Sequence, residues 1–72
     1  MKVDVYTPLK ETARYIAKKF NKGVGEDDSM EPVMYHICRV DYRGLKPLLS
    51  EMILEVRDSR NGEVIWPKSE RS

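Results

Sequence analysis

The chain has 72 residues, enough for one domain whose core lies near the lower limit for independent stability, so a second copy or a partner is a natural complement. Charged residues make up 35% and hydrophobic ones 40%, which is the balance of a folded domain and excludes a disordered chain. The near-neutral total of +1 argues against a uniformly basic nucleic-acid binder, and the single cysteine, Cys38, excludes an intramolecular disulfide and points to a reducing, cytoplasmic setting.

The opening "MKVDVYTPLKE" places Asp4 and Glu11 where a secretory peptide needs an apolar run. No segment approaches the roughly 20 apolar residues that span a bilayer, so no membrane is expected. Val3 and Val5 alternate with Lys2 and Asp4, the pattern of a short strand with one buried face. So short a strand needs a neighbour; a frayed N-terminal arm is the alternative.

A helix follows. Thr7 suits the N-cap and Pro8 the first helical position, where a missing N–H loses nothing. Leu9, Ala13, Ile16, Ala17 and Phe20 form one apolar stripe, and the two alanines predict close approach to another element. Gly23 is the expected left-handed residue at the end. On the other side, Lys10, Arg14, Lys18 and Lys22 fall in a row at four-residue spacing, with Lys19 beside it.

"VGEDDSME" reads as a loop, with no apolar period and four acids. Pro32 then opens a run, "PVMYHICRVDYRG", rich in β-branched and aromatic residues, which predicts a strand. Strict alternation puts Met34, His36, Cys38, Val40 and Tyr42 on one face and Val33, Tyr35 and Ile37 on the other. Apolar residues on both faces at its start predict an inner strand. A helix from Pro32 with Val33, Ile37 and Val40 on one side is the competing pattern.

"GLKPLLSE" is a connection with room for one helical turn. Runs 52–57 and 63–66 then flank "DSRNG", a hairpin in which Asp58 caps the turn and Gly62 takes a positive φ. Met52, Leu54, Val56, Val64 and Trp66 are its expected core residues. A helix through Leu48, Leu49, Met52, Ile53 and Val56 competes, but the turn stops it at Asp58. Residues 68–72 read as a polar tail.

The sum is a single α+β domain over 1–67. One amphipathic helix packs on a small antiparallel sheet of three to four strands ending in a β-hairpin.

The chemistry-bearing residues are few. One Cys and one His do not close a zinc site, which needs three or four ligands. As a nucleophile and base, His36 and Cys38 on one strand face would stand about 6.5–7 Å apart, beyond direct contact, with Asp41 on the opposite face. "GVGEDD" follows a helix instead of preceding one and lacks the lysine of a phosphate loop. Neither "EDD" nor "DSRNG" has the alternating ligands of a calcium loop. No cofactor, metal or small-molecule substrate is expected, and no catalysis.

The charge layout is uneven. Residues 1–23 hold six bases against two acids, net +4, and residues 24–31 hold four acids and no base, net −4. Blocks so close can screen each other, since the Debye length at physiological salt is about 8 Å. The basic row Lys10, Arg14, Lys18, Lys19 and Lys22 is therefore a candidate nucleic-acid contact whose standing depends on where the acids go. Arg57, Arg60 and Lys68 could extend it. The favoured expectation is a non-enzymatic module that binds a protein partner or itself. An open sheet edge and the surplus of Met34, Tyr35 and Trp66 over core needs suggest the interface.

Overall fold

The structure, a computed structural model, describes residues 1–29, 31–49 and 55–67. In chain order the elements are β1 (Lys2–Thr7), α1 (Lys10–Phe20), β2 (Gly25–Asp27), β3 (Met34–Asp41), α2 (Tyr42–Leu45) with a 3₁₀ turn at Lys46–Leu48, β4 (Glu55–Asp58) and β5 (Val64–Trp66). The strands form one antiparallel sheet in the order β2-β3-β1-β4-β5. The expected α+β class holds, with five strands instead of three or four.

β1 sits at the centre because its alternation leaves both backbone edges free to pair while Val3, Val5 and Thr7 point to one buried side. β2 runs parallel to β1, since each is antiparallel to β3 between them. The unit β1-α1-β2 is thus a βαβ motif split by β3. The inner-strand reading of β3 is correct, and the competing helix from Pro32 does not form. The loop reading of 24–31 is corrected at Gly25–Asp27. These residues have no apolar period, but the free edge of β3 offers backbone hydrogen bonds that need none.

The core joins Val3, Val5, Ile37, Val40 and Val56 from the sheet to Ala13, Ile16 and Ala17 from α1, with Leu45 of α2 closing one end. Burying each Val, Leu or Ile side chain stabilises by about 1.5–3 kcal/mol. Ala13 and Ala17, both buried, let the helix lie close to the strands as predicted. Phe20 is half-buried at the edge of this cluster. Leu9 is the exception in the predicted stripe: it is 42% exposed and precedes the helix.

Both helix ends differ from expectation in detail. Thr7 stays in β1, fully buried, and its Oγ1 accepts from the Leu9 N–H at 3.1 Å, so α1 begins at Lys10 and not at Pro8. At the other end Asn21, not Gly23, adopts the left-handed conformation at φ 56°. Its N–H reaches the carbonyls of Ala17 and Lys18, and asparagine tolerates this region better than other non-glycine residues.

The face assignment of β3 is corrected by a bulge. Val3 pairs with Val40 and Val5 with Ile37, so one step more is taken on β3 than on β1, and Cys38 and Arg39 together oppose Asp4. Arg39 takes φ 59°, and its N–H donates to Asp4 Oδ1 at 3.1 Å. The same oxygen accepts from Ser59 Oγ at 2.7 Å. Ile37 and Val40, three residues apart, therefore both face the helix. Met34, His36 and Cys38 keep the other face, Val40 leaves them, and Tyr42 starts α2.

The hairpin turn forms as read. Asp58 Oδ1 accepts from the Arg60 N–H at 2.8 Å, the Gly62 N–H donates to the Asp58 carbonyl at 2.8 Å, and Gly62 has φ 76°. A second bulge, Val56 opposite Trp66 but Arg57 opposite Val64, turns Val64 away from the core and leaves it 46% exposed. Val56 and Trp66 do face the core side, as expected. Met52, Leu54 and the tail 68–72 lie outside the described residues, as does most of the competing 48–56 helix, of which Val56 is in β4.

Candidate functional site

α1 covers one face of the sheet, so its exposed side points directly into solvent. Lys10, Arg14, Lys18 and Lys19 all project there. Lys22 does not extend their line, because the left-handed turn at Asn21 redirects the chain first. The row is thus three bases at helical spacing plus Lys19, spanning about 12 Å from Lys10 to Lys18 at 1.5 Å per residue.

The acidic block does not close over it. Glu26 and Asp28 are exposed at the sheet edge. Asp27 is engaged locally, its carboxylate accepting from the Ser29 hydroxyl at 2.6 Å and the Ser29 N–H at 3.1 Å, which lowers its pKa below the ordinary carboxylate value. Among the described residues the ion pairs are Arg57–Glu55 and Arg60–Asp58, and neither involves the basic row or the acids of 26–31.

Beside the row, at the start of α1, lies an apolar groove of about 600 Å³ lined by Pro8, Leu9, Thr12, Tyr15, Ile16 and Leu48, with Lys10 and Glu11 on its rim. Leu9 and Tyr15, at 42% and 59% exposure, are its accessible apolar surface. The expected interface residues are placed differently. Met34 is buried, and Tyr35 and Trp66 are half-buried and packed against the core. Composition alone could not separate them from Leu9 and Tyr15, because how far each side chain is covered depends on which distant elements pack over it.

The sheet face away from α1 carries the Cys–His pair. His36 Nδ1 and Cys38 Sγ approach to 3.8 Å, closer than regular strand spacing allows, because the bulge begins at Cys38. The His36 ring lies across Gly25 on β2 and tilts against Tyr6 at 5.8 Å between centroids. The Arg57 guanidinium stands 5.2 Å from the Tyr6 ring on the other side, and also pairs with Glu55. Burial, then the charge of Asp4, pushes the Cys38 thiol above its ordinary pKa despite Arg39, so it is a protonated thiol at neutral pH. Tyr6 is raised likewise, by burial first and Asp4 second. The bulge also carries Asp41 to this face, opposite the prediction, but its carboxylate caps α2 by accepting from the Arg43 N–H at 3.2 Å.

Among the described residues no group of three or more His, Cys, Asp or Glu is placed to hold a metal ion, and no helix is long and apolar enough to cross a membrane. Comparison with family models, curated proteins and solved structures finds no significant match to this chain.

Proposed function

We propose that this chain is a non-enzymatic interaction module of the cytoplasm that associates with itself or with a protein partner through the solvent side of α1. The observation that supports this is the groove at the start of the helix. Leu9 and Tyr15 leave large apolar surface in water beside Pro8, Ile16 and Leu48. Aromatic and aliphatic side chains in a concave patch with a charged rim are the usual composition of a protein contact. The sheet edges contribute less, since β2 and β5 are only three residues long and β2 is acidic.

Sedimentation velocity over a wide concentration range tests the reading. The unmodified chain gains mass as its concentration rises, or co-sediments with a purified partner, and Leu9→Ser/Tyr15→Ser weakens that association at least tenfold while its far-UV dichroism stays unchanged. A chain that stays monomeric and holds no partner sensitive to those two substitutions would refute it.

A second reading rests on the exposure of Lys10, Arg14, Lys18 and Lys19 without an ion pair among the described residues. Such a row suits phosphates of a nucleic acid. Four contacts on duplex DNA would give a salt slope of about −3.6, and Arg14→Glu would flatten it. Absent or salt-insensitive mobility shifts would remove it.

A further inference from the structure

The basic row and the acidic segment are exposed on the same molecule without meeting there. We propose that they meet between molecules: the segment Val24–Asp28 of one copy lies along α1 of a second copy, acids against bases. This deepens the interaction-module reading and rests on it.

Charge complementarity carries the inference first. Residues 1–23 carry +4 and residues 24–31 carry −4, so the blocks are equal and opposite while the chain as a whole is nearly neutral. A surface that served a strongly acidic or basic partner would need only one of them. Glu26 and Asp28 are exposed, as are Lys10, Arg14 and Lys18, and among the described residues no ion pair satisfies any of them within the chain.

The spacings agree as well. Alternate residues of an extended segment recur about every 6.6 Å, and residues four apart on a helix about every 6 Å, so two successive carboxylates can face two successive bases. β2 is extended from Gly25 to Asp27 and Asp28 opens the turn after it, so Val24 to Asp28 spans up to about 13 Å, and Leu9 to Lys18 about 13.5 Å along the helix. Val24, 38% exposed, precedes the acids just as Leu9 and the apolar groove precede the bases. A segment running in the direction of α1 therefore places Val24 at the Leu9–Tyr15 groove, and Glu26 and Asp28 along Lys10, Arg14 and Lys18.

β2 is free to do this because it pairs only with β3 and presents its other edge outward. Each copy has one donor segment and one acceptor helix, so a two-fold pair makes the contact twice. Exposed charges dominate it, so the association weakens as salt shortens the Debye length from about 8 Å at physiological strength to about 3 Å at 1 M.

Sedimentation equilibrium of the full chain at 0.05 M and 0.5 M NaCl is the test, with dichroism confirming the fold of each variant. The unmodified chain exceeds its 8.4 kDa monomer mass at low salt and loses at least tenfold in association constant at high salt. Arg14→Glu/Lys18→Glu and Glu26→Lys/Asp28→Lys are each monomeric alone, and mixing them restores association, because one supplies an intact acidic segment and the other an intact helix. If the unmodified chain associates but the mixture does not, or salt has no effect, this contact is wrong while the interaction module stands. If the chain is monomeric throughout and holds no partner through Leu9 and Tyr15, both fall. A DNA mobility shift retained by Glu26→Lys/Asp28→Lys in a chain that never self-associates would assign the row to nucleic acid and overturn the proposal. The salt comparison needs no variant, so it decides even if a charge reversal fails to fold.

Discussion

Replacing Gly25 with alanine probes how β2 is held to the sheet. Gly25 opposes His36, and a Cβ built on it falls within the imidazole, 2.6 Å from Nε2 and 2.7 Å from Nδ1. Escaping the clash takes the ring away from Tyr6 and from Cys38 Sγ, or lifts β2 off β3. Overpacking of this kind costs about 1–3 kcal/mol. Gly25 has no positive φ, so without the ring alanine fits and stabilises by about 0.4–1 kcal/mol through the unfolded chain. Gly25→Ala is therefore expected to destabilise the native chain by about 1–2 kcal/mol and to become neutral or stabilising in a His36→Ala background. A domain of 72 residues has about 4–11 kcal/mol in total, so the single change is readily measured. It corresponds to a fall in Tm of about 4–8 °C per kcal/mol. Urea unfolding of the four chains completes the cycle. Equal effects of Gly25→Ala in the two backgrounds, within about 0.5 kcal/mol, would refute the seating of His36 on Gly25.

Three further outcomes are expected. Ile16→Ala removes the largest fully buried side chain that α1 contributes and should cost about 2–5 kcal/mol in urea unfolding; a loss under about 1 kcal/mol would mean that α1 is not packed on the sheet as described. Asp4→Ala removes the acceptor for the Arg39 N–H and the Ser59 hydroxyl, and should destabilise by about 1–3 kcal/mol, with Asp4→Asn less harmful because its amide oxygen can still accept. The Cys38 thiol, raised by burial and by Asp4, should be alkylated slowly at neutral pH, with a midpoint above the ordinary thiol value. The folded state prefers the protonated thiol, so this contribution to stability is complete below the ordinary thiol pKa and declines as pH rises through the raised one. An alkylation midpoint at or below that of a simple thiol would contradict the partial covering of the thiol beside Asp4.

What the sequence determined by itself was local. The apolar period of Ala13, Ile16, Ala17 and Phe20, the alternation of Val3 and Val5, and the Asp58-to-Gly62 turn each specify an element through contacts a few residues apart. The structure follows all three. These suffice for an α+β domain with a hairpin, and they also locate Lys10, Arg14, Lys18 and Lys19 on the wet side of a helix. The tertiary structure decided the rest. β2 exists because β3 has a backbone edge to satisfy, and backbone hydrogen bonds leave no side-chain signature in "GED". The bulge that brings Ile37 and Val40 to one face is fixed by Asp4, 35 residues from Arg39 in sequence, so strict alternation misplaces Val40 and Asp41. Tyr35 and Trp66 lie on the core side and Met34 is covered on the other face, while Leu9 and Tyr15 remain in water, a difference in covering that alternation does not show. The charge blocks were plain in the sequence; that no ion pair joins them among the described residues depends on where the sheet puts β2, which only the pairing of distant strands can fix.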